Sequence, residues 1–179
     1  NRPYHLVLGP HGHYWLLLRR RRRAAAGRKK GRGMPAVRGG WTAALSGKAR
    51  GALEQEILPV YLTTCRWFGA KARRIREVHI EEDVTVDGYR LLVLGVAYRH
   101  GASERYMLPL GFAQGLEAGE IRDEFPQNVV CPLTVDKKAG LLFDATCREG
   151  FRGALLKLVV ESGRVKGGSG TIAGLPGRK

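Results

Sequence analysis

The sequence predicts an α+β fold for residues 46–162, a small antiparallel β-meander packed with one or two helices. Three observations predict it. Val78 and Ile80 alternate with polar neighbours and lead to Asp87-Gly88, a dipeptide suited to a two-residue hairpin turn. Leu91 to Tyr98 is apolar on both faces, as a central strand is. Phe151, Leu155, Leu158 and Val159 recur at the spacing of a helix with one buried stripe.

Each element follows in chain order. Leu53, Ile57, Tyr61 and Leu62 lie near helical spacing, and Pro59 is expected to interrupt or restart that helix, because it lacks an N–H and its ring clashes with the preceding turn. After the first two strands, Tyr106, Leu108, Leu110 and Phe112 share one face of a third, and Pro109 places that strand at an edge or kinks it. AGLLFDA, residues 139–145, reads as a further strand. A capping box from Thr146 to Glu149 should start the last helix, and Gly163 should stop it.

The flanks differ in composition. Residues 1–18 hold two short apolar runs around a Gly9-Pro10-His11-Gly12 turn, which reads as a hairpin remnant of a sheet completed elsewhere. Residues 19–45 are rich in Arg, Lys, Gly and Ala and read as a basic linker, too poor in large apolar side chains to offset the entropy of ordering. Residues 163–179 read as a Gly-rich connection. The net charge of +15 is concentrated at one end, since 13 of the 31 Lys and Arg precede Gly51 and no acid does. Such a run binds nucleic acid weakly and without sequence preference, through counterion release. Because the chain opens on Asn1, it reads as a piece of a longer polypeptide.

Several chemistries lack their residues. Cys65, Cys131 and Cys147 form no close pair and no metal-ligand spacing, which suits a reducing cytoplasm. No apolar run approaches the roughly 18 residues of a membrane span. His11 and His13 have no evident third ligand. Gly167 to Gly170 lacks the Gly-Lys-Ser/Thr ending of a phosphate loop, and Glu81, Glu82 and Asp83 read as a solvated strand end. Neither a nucleophile elbow nor the catalytic and magnesium-binding motifs of protein kinases occur. No catalytic, metal-binding or cofactor-binding residue is therefore assigned.

The stretch RWFGAKARR, residues 66–74, sets two rings beside a knot of positive charge. Trp67 and Phe68 are expected to plug the junction between helix and first strand, leaving Arg66, Lys71 and Arg73 as candidate functional contacts. Tyr106, Pro109 and Asp144 are expected to be structural. Trp67-Phe68-x-x-Lys71-x-Arg73 behind LPVYL, then Arg105 to Leu110, then Phe143-Asp144-Ala145 before a helix, form an ordered set that resembles the N-terminal cap of bacterial maltokinases. LGPHGHYWLLL upstream resembles the closing β-segment of trehalose synthases of the alpha-amylase superfamily. The resemblance implies a synthase tail, a basic linker and a kinase cap, the kinase making maltose 1-phosphate from maltose with ATP and Mg2+. It implies further that neither active site lies in these residues, and that the partner of the cap is the remainder of the kinase polypeptide. Two rival readings are a basic nucleic-acid-binding protein and a free-standing carbohydrate-binding module, which would need exposed aromatics aligned on one face.

Overall fold

A computed structural model describes residues 36–168, 170–175 and 177. The expected N-terminal hairpin, with His11 and His13, and the arginine run lie outside the described residues. Five antiparallel strands form one sheet: β1 (Ile75–Val86), β2 (Tyr89–Tyr98), β3 (Glu104–Gln114), β4 (Val129–Val135) and β5 (Lys138–Asp144), in the order β1-β2-β3-β5-β4. Helical segments precede and follow the meander: α1 (Gly47–Ala52), α2 (Leu58–Thr64), α3 (Gly115–Glu124) and α4 (Glu149–Val160). This is the α+β class expected.

Side chains alternate across a strand, so β2 feeds two cores. Leu92, Leu94, Val96 and Tyr98 join Leu53, Leu58 and Leu62 of the first helices, whereas Leu91 joins Ala118, Ile121 and Phe151. On β1 the register slips between Ile80 and Glu82. That bulge moves the strand's apolar set from one face to the other, so Val78 and Ile80 face the first core and Val84 and Val86 the second.

The first helix bends around Pro59 without breaking. A π-turn over Leu53–Ile57 joins α1 to α2, and Leu58 N–H donates to Leu53 O. Widening the turn relieves the clash that the proline ring would otherwise make. Two side chains from this stretch also cover the open edge of β1. Glu54 Oε1 accepts from Ile80 N at 2.8 Å, and Arg50 donates to Ile80 O at 2.6 Å.

Several expectations are corrected. The linker does not reach residue 45, because Val37, Ala44 and Leu45 are buried in the first core. Val37 donates to Thr134 O and accepts from Asp136 N, which protects the edge of β4. β3 is central rather than an edge strand. Pro109 opposes Leu91 and sits one residue before the pairing with β5 begins at Leu110, so a missing donor is tolerated on the side where no strand yet lies.

Thr146 does not cap α4. Asp144 accepts from Thr146 N and caps the short 3-10 turn Ala145–Cys147, while Arg148 stands at the start of α4. The helix does stop as expected: Gly163 N–H donates to Leu158 O and Ser162 N–H to Val159 O, with Ser162 at φ 50°. Of the proposed stripe Phe151 is buried, Leu155 and Leu158 are half-buried and Val159 is exposed. Finally, the Gly-rich tail contributes a hairpin, β6 (Arg164–Lys166) with β7 (Thr171–Ala173), resting against Glu82, whose Oε2 accepts from Gly170 N at 3.2 Å.

Candidate functional site

After α2, residues 65–74 cross the end of the β2–β3 hairpin, and the aromatic pair divides. Phe68 is 1% exposed and packs on the Tyr106 ring at 4.9 Å between centroids. Trp67 is 42% exposed and leans on the same ring at 6.0 Å. Adjacent residues leave an irregular segment in different directions, so only Phe68 plugs the junction. The expectation that both rings plug the junction is corrected for Trp67.

Arg73 is also corrected, from candidate contact to structural clamp. Its guanidinium lies 3.6 Å from the Tyr98 ring centroid and donates to Glu104 Oε1 at 2.6 Å, Ala102 O at 2.5 Å and His100 O at 3.2 Å. A planar fork of donors suits such a site, where lysine would not. Glu104 takes hydroxyl hydrogen bonds from Tyr106 and, at 2.9 Å, from Tyr98. The Tyr106 bond chiefly, then that of Tyr98, holds its carboxyl below the ordinary range. Burial pushes the Tyr98 hydroxyl up.

Arg66 and Lys71 are exposed. Beside the clamp, Ala72, Arg73, Arg74, Arg99 and His100 line an open pocket of about 380 Å³. Arg74 and Arg99 stand opposite each other, since Arg99 N–H donates to Arg74 O at 3.0 Å where β1 and β2 begin to pair. Sequence reasoning missed Arg99 and His100. Their proximity to Arg74 depends on the register of two strands.

A second cluster lies beneath α2. Asp144 is 2% exposed, accepts from Tyr61 Oη at 3.3 Å and from Thr146 N at 2.9 Å, and its carbonyl accepts from Asn128 Nδ2 at 3.3 Å. Cys65 donates to Tyr61 O at 3.4 Å, and burial pushes its thiol up to about 11. Burial also raises the Tyr61 hydroxyl, so at neutral pH the thiol and the phenol both keep their protons. They are packing and hydrogen-bonding groups rather than nucleophiles. Pro109 is buried and Tyr106 half-buried.

The three acids that precede the hairpin turn do not converge. Glu81 pairs with Arg105 at 2.6 Å, Glu82 faces Gly170, and Asp83 pairs with Arg90 at 2.5 Å. Among the described residues no group of three or more His, Cys, Asp or Glu is placed to hold a metal ion. No helix among them is long and apolar enough to cross a membrane. Trp67 is the one exposed aromatic there, so no row of stacking platforms forms.

Residues 61–147 match the family model of the maltokinase N-terminal cap domain. The match takes in the whole five-stranded sheet and α3 and ends with the 3-10 turn that Asp144 caps. No curated protein matches the chain.

Proposed function

We propose that this chain carries the N-terminal cap of a maltokinase, a non-catalytic module of an enzyme that phosphorylates maltose to maltose 1-phosphate. The match over residues 61–147 carries the reading. The geometry supports a scaffold: Arg73, Glu104, Tyr98 and Tyr106 are committed to one another, and Asp144 to Tyr61 and Thr146. Phosphoryl transfer needs carboxylates that place magnesium and a base that orients the nucleophile. The described residues do not fit a magnesium–nucleotide site, so no step of the reaction is derived from them.

On this proposal the nucleotide-binding and catalytic lobes follow in the same cytoplasmic polypeptide. The N-terminal 18 residues are the tail of a trehalose synthase, joined by the basic stretch to the cap. ATP and Mg2+ belong to the complete kinase. The test is to read the contiguous coding sequence on both sides. An in-frame synthase upstream and kinase lobes downstream are expected. A downstream frame with no kinase lobe would refute the cap assignment, and an upstream frame without a synthase would refute the fusion alone.

A further inference from the structure

We propose that the pocket between residues 72–74 and 99–100 is a binding site for a phosphate group, either free phosphate or the phosphate of a small sugar ester. This goes beyond the cap assignment and does not rest on it.

The charge pattern is the first argument. Five arginines of the described domain pair with acids: Arg50 with Glu54, Arg73 with Glu104, Arg90 with Asp83, Arg105 with Glu81 and Arg148 with Glu117. Arg74 and Arg99 have no ion pair or side-chain hydrogen bond among the described residues, although a backbone hydrogen bond joins them just beyond the paired ends of β1 and β2, and His100 joins them at the pocket wall. Two guanidinium charges carried on neighbouring backbone without an intervening acid repel each other. No acid lines the pocket to offset the repulsion. An anion with several acceptor oxygens removes that cost, and guanidinium forks fit phosphate oxygens two at a time.

Rigidity is the second argument. Arg73 donates to His100 O and Ala102 O while tied to Glu104 and stacked on Tyr98, so it fastens the 71–74 segment to the β2–β3 turn. Both walls are thereby held before any ligand arrives, which lowers the cost of binding. The open pocket of about 380 Å³ also has room for more than a bare phosphate.

The test is thermal unfolding of the full chain in inorganic phosphate, in glucose 1-phosphate and in chloride at matched ionic strength, for the wild type and Arg74→Ser/Arg99→Ser. At ligand near a hundred times its Kd, the melting temperature of the wild type should rise by about 5–10 °C above the chloride control. The double variant should melt at the same or a higher temperature in chloride, because it loses a repulsive pair, and should lose the phosphate-dependent rise. Titration of 15N-labelled chain with inorganic phosphate should move the backbone signals of Arg74, Arg99 and His100 saturably. Glucose 1-phosphate binding more tightly than inorganic phosphate identifies a sugar ester as the occupant, and the reverse order identifies free phosphate. A rise equal to that in chloride, or one retained in the double variant, overturns the proposal. Should the double variant not fold, unmoved signals at Arg74, Arg99 and His100 in the wild type overturn it equally.

Discussion

The Tyr61 hydroxyl donates to the buried Asp144 carboxylate at 3.3 Å across 83 positions of sequence. The bond joins α2 to the end of β5, and its partners stand close to the two ends of the stretch matched by the cap family. Burial first, and the neighbouring Asp144 second, keep the Tyr61 proton in place, so the donor persists at neutral pH.

Removing either partner tests that closure. Asp144→Ala should destabilise the domain by about 2–4 kcal/mol, since it strips the Tyr61 hydroxyl and the Thr146 N–H of their acceptor. Tyr61→Phe should cost about 1–2 kcal/mol, leaving Asp144 one bond short. Urea unfolding of both variants and of the double variant measures the coupling. A Tyr61→Phe variant as stable as the wild type would show that the bond contributes nothing.

Phe68→Ala should cost about 3–5 kcal/mol, the usual loss for a fully buried ring. Trp67→Ala should cost about 1 kcal/mol, because the indole is partly in solvent and leans on Tyr106 without being enclosed. Denaturant midpoints read the difference. Equal losses at the two positions would mean that both rings are buried.

That split shows where sequence reasoning stops. The β1–β2 hairpin was legible because Asp87 and Gly88 both take positive φ, at 46° and 81°, and the dipeptide advertises it. The β4–β5 hairpin was not: Asp136 and Lys137 take φ 47° and 67° with no glycine to signal the turn. α3 has two glycines and buries only Ala118 and Ile121, too little for a periodic pattern. At the candidate site the sequence set Arg73 among the positive charges without showing that Glu104, 31 positions away, would bind it. Ion pairs across strands depend on register, which local pattern does not supply.

Alkaline pH should weaken the fold before neutral pH does. Burial raises Cys131 to about 12 and Cys65 to about 11. An unfolded thiol ionises near 8.5, so above that pH the unfolded chain loses protons that the folded chain retains. The contribution is complete below about pH 8.5 and declines as pH rises toward 12, with Tyr61 and Tyr98 acting in the same direction. Cys131→Ala should flatten the fall in stability between about pH 9 and 12. An unchanged slope would contradict burial of that thiol.

Arg73→Lys should cost about 1–2 kcal/mol, less than a buried clamp would, because the pair with Glu104 is partly solvated. Lys71→Ala should change stability by about 0.5 kcal/mol or less, as substitutions of exposed side chains usually do. Chemical denaturation separates them. A loss at Lys71 equal to that at Arg73 would remove the distinction between clamp and surface.

The most direct measurement is maltose phosphorylation with ATP and Mg2+, using the rigorously purified chain and, separately, the full-length polypeptide that contains it. The chain alone should form no maltose 1-phosphate, and the full-length protein should form it. Product from the chain alone, or none from an active, folded full-length protein, would contradict the assignment of this chain as a non-catalytic maltokinase cap.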